Sequence, residues 1–171
     1  GGTGACWLEG ETWCNVQGEG GAEIDSIFGG NVPEDDSGAI RYLIIAEGGL
    51  VAGPNNEVNG LTLQGVGYGT DVSYVQVHNN LDDGVEWFGG TVSAKYLVLT
   101  GNDDDDIDFD EGFMGNIQYA IVQKSNNEAP QGSNDPRGVE ANSSDEEYAP
   151  ETNAVLANLH VEGGTVSEGQ P

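Results

Sequence analysis

The chain has 171 residues, with 30 acids against 4 bases and a formal net charge of -26. That balance excludes nucleic acid and anionic membrane surfaces as partners, since both are held by basic patches, and no apolar run approaches the ~20 residues of a membrane span. The length supports one domain with its own core, and 28 glycines without a Gly-X-Y period point to many tight turns rather than to collagen.

The chain opens GGTGACW, with no initiating Met and no signal-peptide pattern. It is read as a segment of a longer, processed protein. Residues 1–36 form a Cys-containing edge region. Cys6 and Cys14 stand close together in CWLEGETWC. They are expected to form a local disulfide, which implies an oxidising compartment. By loop closure such a bridge would contribute about 2–3 kcal/mol. The stretch 18–37, containing DSIFGGNVPEDDS, reads as a loop that helps build a binding face.

From residue 37 onward the chain repeats itself. One set of runs is AIRYLIIAEGG, DVSYVQVHNN, SAKYLVLTGN, NIQYAIVQKS and LANLHVEGG. Each carries Tyr, or finally Asn, at one place: Tyr42, Tyr74, Tyr96, Tyr119 and Asn158, at intervals of 32, 22, 23 and 39 residues. The residues that follow alternate with period two, as the inward positions of a strand do: Leu43/Ile45, Val75/Val77, Leu97/Leu99, Ala120/Val122 and Leu159/Val161. A second set lies between them, NGLTLQG, DGVEWFGG, DIDFDEG and RGVEANS, with inward pairs Leu61/Leu63, Val85/Trp87, Ile107/Phe109 and Val139/Ala141.

Two strands and two turns in a basal repeat of about 22 residues predict an all-β solenoid, a right-handed parallel β-helix with inserted loops. Residues 37–125 hold the regular coils. Residues 126–153 read as an inserted acidic loop with one strand, and residues 154–171 as the last coil. A sandwich built of hairpins is the competing architecture.

The stretch NEVNGLTLQGVGYGTDVSYVQVHNNLDDGVEWFGGTVSAKYLVLTGNDDDDIDFDEG resembles a family of bacterial secreted or lipid-anchored β-helix proteins. The similarity is strong over about residues 37–125 and continues more weakly through RGVEANSS and NAVLANLHVEGG. It implies the parallel β-helix fold and a place outside the cell or on the bacterial surface. It implies no particular biochemical activity.

The densest chemistry is GNDDDDIDFDEG, residues 101–112, in which seven of twelve residues are carboxylates. Ile107 and Phe109 are expected to pin it to the core, leaving Asp106, Asp108 and Asp110 outward. The repeat then puts Thr62, Glu86, Asp108 and Glu140 in one outward column, Asp83 over Asp105, and Asp82 over Asp104. Coils are ~4.8 Å apart, where two carboxylates repel by ~0.9 kcal/mol in water and by several times that near a protein surface.

Ca²⁺ resolves that repulsion, because it takes 6–8 oxygen ligands. The candidate ligands are Asp82, Asp83, Asp103, Asp104, Asp105, Asp106, Asp108 and Asp110. The spacing is not that of an EF-hand. Shared protons between paired carboxylates and simple solvation are the other resolutions.

The expected role is therefore a non-enzymatic extracellular or cell-surface scaffold with a Ca²⁺-binding acidic face, serving adhesion, polysaccharide contact or end-to-end assembly of copies. The alternative is a carbohydrate-active enzyme, a lyase or glycoside hydrolase, using Glu86, Asp108 and Glu140, with Asp105 and Asp106 as further choices. Paired carboxylates suit glycoside hydrolysis, but the fold alone does not carry that activity. Tyr42, Tyr74, Tyr96 and Tyr119 are expected to stack on one another, with a ligand-stacking strip as the alternative, and outward Phe88 is a further stacking candidate.

Overall fold

A computed structural model describes residues 14–18, 27–53, 56–124, 136–143 and 149–164. Cys6, and with it the expected Cys6–Cys14 bridge, lies outside the described residues. The strands in chain order are β1 (Cys14–Gln17), β2 (Ile27–Gly30), β3 (Ala39–Ala46), β4 (Val51–Gly53), β5 (Asn56–Glu57), β6 (Leu61–Gln64), β7 (Asp71–His78), β8 (Val85–Phe88), β9 (Ser93–Thr100), β10 (Ile107–Asp110), β11 (Asn116–Gln123), β12 (Val139–Ala141) and β13 (Val155–Glu162). There is no helix among the described residues, so none is long and apolar enough to cross a membrane.

Two parallel sheets carry the architecture. One has the order β13-β11-β9-β7-β3 and the other β12-β10-β8-β6. Successive strands of each sheet are one coil apart, so the chain alternates between sheets and winds as a right-handed parallel β-helix. The two antiparallel pairs, β1 with β2 and β4 with β5, are appended hairpins.

Side chains recur directly over one another. Leu43 pairs with Val75, Val75 with Leu97, Leu97 with Ala120 and Ala120 with Leu159. In the second sheet Leu63 pairs with Trp87, Trp87 with Phe109 and Phe109 with Ala141. These inward columns meet in one core, in which Val77, Val85, Trp87, Leu99, Ile107, Phe113 and Val122 are fully buried. Trp87 packs on Phe113 with ring centroids 5.7 Å apart.

The coil has three corners, where the repeat pattern suggests two turns. Each corner is a column of left-handed residues. One runs Tyr42, Tyr74, Tyr96, Tyr119 and Asn158, with φ of 57°, 57°, 60°, 59° and 56°. A second contains Glu47, Asn79 and Gly101, and a third Gly65, Gly89 and Glu111. The tyrosine corner falls inside the strands of the larger sheet and bends it. It also breaks the period-two rule, since the inward residues on its two sides are three apart: Val72 and Val75, Ala94 and Leu97, Ile117 and Ala120.

A bulky residue in this conformation costs about 1–2 kcal/mol. The tyrosines offset that by stacking, with centroids 4.8, 4.6 and 5.2 Å apart and interplanar angles of 9°, 16° and 5°. Asn158 takes the fifth place because Asn tolerates the left-handed region best after Gly.

Candidate metal centre

The acidic residues collect where the chain leaves the larger sheet and enters the smaller one. In one coil this connection is Asn80–Gly84 and in the next Asn102–Asp106, leading into β8 and β10. Asparagines brace both. The Asn80 N–H donates to Asn102 Oδ1 at 3.0 Å, and Asn102 Nδ2 donates to Asp106 Oδ1 at 2.8 Å. Asn80 Nδ2 donates to the carbonyls of Val58 and Asp83 at 3.1 and 2.9 Å. Position 84 must be Gly, because a Cβ there would lie 2.6 Å from both Asn102 Nδ2 and the Asp106 carbonyl oxygen.

The second sheet pairs Thr62 with Glu86, Glu86 with Asp108 and Asp108 with Glu140. The expectation of a solvent-facing stripe is corrected by burial. Asp83, Glu86, Asp105 and Asp106 are 7%, 3%, 2% and 0% exposed, while Asp108 and Asp110 are half-buried. Asp106 is not an outward residue of the strand. It is the last residue of the turn, held by Asn102 and by Lys124, whose Nζ lies 3.1 Å from its carboxylate.

Phe88 is also corrected. It leaves the core side of β8 but is buried, because Phe28 of the β1–β2 hairpin packs on it at 6.1 Å between centroids. It offers no open ring to a ligand. The segment expected to build a binding face thus supplies β2, one strand of a hairpin that covers the smaller sheet.

Several carboxylates receive protein partners. Asp83 Oδ1 accepts the Asp105 N–H at 2.9 Å, and Asp105 Oδ1 accepts the Arg137 N–H. Lys124 Nζ also donates to the carbonyls of Asn102, at 3.2 Å, and Asp104. Arg137 holds Glu140 at 2.8 Å. The acidic turn is thus partly answered by two bases from later in the chain.

Carboxylates of the turn and of β8 and β10 also form two groupings that share Asp83. Carboxylate oxygens of Asp82, Asp83 and Asp104 lie within 4.8 Å of one another, as do those of Asp83, Glu86 and Asp108. Asn59 Nδ2 donates to Glu86. Asn59 is itself 7% exposed, and its Oδ1 and Asp108 Oδ1 are buried without hydrogen-bond partners. Asp103, Asp105, Asp106 and Asp110 stand outside both groupings.

Burial dominates the electrostatics. It pushes the Asp83 carboxyl up to about 10, with the charges of Asp108, Asp82, Asp104 and Asp105 adding to it. Asp108 is raised to about 6, chiefly by burial and then by Glu140, against a hydrogen bond from the Phe109 N–H. Asp105 is raised by burial and by its hydrogen bond with Glu140. Asp106 is raised by burial despite Lys124. Such a site holds protons or a cation.

The sequence reading missed Asn59 as a neighbour and Lys124 as a counter-ion. Asn59 was findable, since it stands one coil before Asp83 in the repeat. Lys124 was not, because its reach back across a coil is a side-chain property that register does not show.

The tyrosine column stands on another face. The two inner rings have both faces covered by neighbours, so the column presents mainly edges and hydroxyl groups.

The profile of one protein family, the Pectate-lyase like beta helix domain, matches residues 1–170. The chain belongs to that family. No curated protein and no solved structure matches it. The parallel coils of the described residues agree with the β-helix of that description. In this member the buried carboxylates occupy the turn that enters the smaller sheet and, at Glu86, the strand β8 that follows it.

Proposed function

We propose that this chain is a non-enzymatic β-helix scaffold, working outside the cell or at its surface, whose acidic turns bind Ca²⁺. One observation carries the reading: Asp83, Glu86 and Asp108 come within 4.8 Å of one another in a buried setting, with Asp82 and Asp104 beside Asp83. Three carboxylates offer up to six oxygens, and the unpartnered Asn59 Oδ1 adjoins them. That donor set is all oxygen, as Ca²⁺ requires. The burial that argues for a cation also argues against open access for a polymeric substrate at Glu86. A cation here would tie adjacent coils together and stiffen a surface used for adhesion or polysaccharide contact.

The test is calorimetric titration of metal-stripped protein with Ca²⁺ and with Mg²⁺, alongside Asp108→Asn. Saturable Ca²⁺ binding, weakened by the substitution, supports the reading. Absence of heat and of any thermal shift at millimolar Ca²⁺, typical of weak extracellular sites, would sink it.

The family's pectate-lyase-like description favours one second reading, a carbohydrate-related activity. Glu86, Asp108 and Glu140 on adjacent rungs would be its carboxylates. Release of reducing ends or unsaturated products from a panel of polysaccharides, lost in Asp108→Asn, would establish it.

A further inference from the structure

The face opposite in character to the acidic turns is apolar and open. Tyr42, Tyr74, Tyr96 and Tyr119 form a ridge along the solenoid, and Ile44, Val98 and Ile121 line a groove beside it. These seven side chains are 37–77% exposed, and the groove encloses about 620 Å³. In a monomer a largely apolar strip of this size, broken by Gln76 between Ile44 and Val98 and ended by His160, is unusual and marks a contact surface.

We infer that this strip is the interface for a second copy of the same chain, side by side and parallel. Area is the first argument. At the ~200 Å² that a large side chain can bury, the exposed fractions amount to on the order of 700 Å², close to the ~800 Å² per partner of a standard interface.

Charge is the second argument. The chain carries -26, so most approaches of two copies bring carboxylates together. Among the described residues lining this groove there is no acid. One flanking column carries Arg41 and Lys95, and the acid beside it, Asp71, is bonded to Arg41; the other runs Ala46, His78, Thr100 and Gln123 and meets an acid only at its end, Glu162.

Shape gives the orientation. A ridge next to a groove is self-complementary under a two-fold axis lying in the interface and parallel to the solenoid. The tyrosine ridge of one copy then enters the groove of the other, and equal coils stand side by side. The contact is isologous and closes as a dimer.

The experiment is sedimentation equilibrium of the whole chain with excess chelator, so that its outcome is independent of Ca²⁺ binding. It is run at physiological salt and at about 1 M NaCl, where the screening length falls to ~3 Å. The expected result is a monomer–dimer equilibrium that strengthens with salt, because apolar contact is opposed by net charge. Ile44→Glu and Ile121→Glu, both at outward positions, should weaken it at least about tenfold with unchanged circular dichroism. Ile27→Glu, an exposed apolar residue off the strip, should leave it unaltered. A monomer at every concentration and salt overturns the inference. So does a dimer indifferent to Ile44→Glu and Ile121→Glu, or an open-ended series of oligomers, which would place the contact at the solenoid ends.

Discussion

Asp83 Oδ1 accepts the backbone N–H of Asp105 from the next coil at 2.9 Å. One coil further, Asp105 Oδ1 accepts the N–H of Arg137 in the same way. Two of the acids that look mutually repulsive in the sequence, Asp83 and Asp105, are thus tied to an amide of the following coil. Each such bond fixes one coil against the next by an amide donated to a buried carboxyl oxygen, so this column helps set coil register. It also keeps the carboxyl groups buried, which raises their proton affinity and prepares the turn for a cation.

The first prediction concerns pH without metal. The Asp83 carboxyl is raised from 3.8 to about 10, chiefly by burial, and that of Asp108 to about 6 for the same first cause. A carboxyl with a raised folded pKa binds more protons folded than unfolded, so its contribution is full below the unfolded pKa and is lost as pH rises. Metal-free protein should therefore lose stability from about pH 4 upward, through about pH 6 as Asp108 ionises and on toward pH 10 with Asp83. Asp83→Asn should flatten the upper part of this slope and stabilise metal-free protein at pH 8 by a few kcal/mol, each full pKa unit being worth about 1.4 kcal/mol. Denaturant midpoints at several pH values in chelator measure it. Stability that rises steadily across this range would contradict the assignment.

The second prediction concerns Ca²⁺. At about 100 times its Kd the ion should add ~2.7 kcal/mol. For a chain of this length that is a rise of roughly 5–10 °C in Tm. Binding displaces protons from Asp83, so affinity should increase with pH. Asp108→Asn should reduce affinity tenfold or more, whereas Asp103→Asn, outside both groupings, should change it little. Equal effects of the two substitutions would mean that the acid-rich turn attracts Ca²⁺ diffusely, with no defined site.

Much of the fold is legible in the sequence because a solenoid repeats its own environment. Leu97 and Ala120, or Trp87 and Phe109, align by interval alone and do lie on adjacent rungs. The tyrosine corner is less legible, since a left-handed Tyr looks like any other Tyr. The Asn at position 158 is the one clue, because Asn and Tyr share little except what this backbone site permits. Depth is not legible either. Alternation says that Glu86 and Phe88 leave the core side of β8, but not that the β1–β2 pair will cover Phe88 there. The candidate carboxylates could be found by register, whereas their burial and their bases, Lys124 and Arg137, needed three dimensions.

The third prediction isolates Lys124. Its Nζ meets the Asp106 carboxylate at 3.1 Å and the carbonyls of Asn102 and Asp104, in a place where Asp106 is wholly buried. Lys124→Met leaves an uncompensated buried carboxyl and should cost about 3–5 kcal/mol. Adding Asp106→Asn should recover a large part of that loss. If the double variant is no more stable than the single one, the pair is not the cause. Chemical denaturation of both variants in chelator separates these outcomes from any effect on Ca²⁺.

The last prediction sets stacking against backbone strain at Tyr96. Its ring stacks on Tyr74 at 4.6 Å and on Tyr119 at 5.2 Å, while its φ is 60°. Tyr96→Asn removes two stacks worth ~0.5–1.5 kcal/mol each but relieves much of the left-handed cost, so the net loss should be about 1 kcal/mol. Tyr96→Val removes the same stacks and puts a β-branched residue where the left-handed region is least tolerated, so it should cost at least ~1–2 kcal/mol more than Asn. A purely extended site would reverse the order, because Val is the better strand former. The ranking of the two variants by urea midpoint therefore reads the corner conformation directly, and Asn above Val is the result that the bent sheet requires.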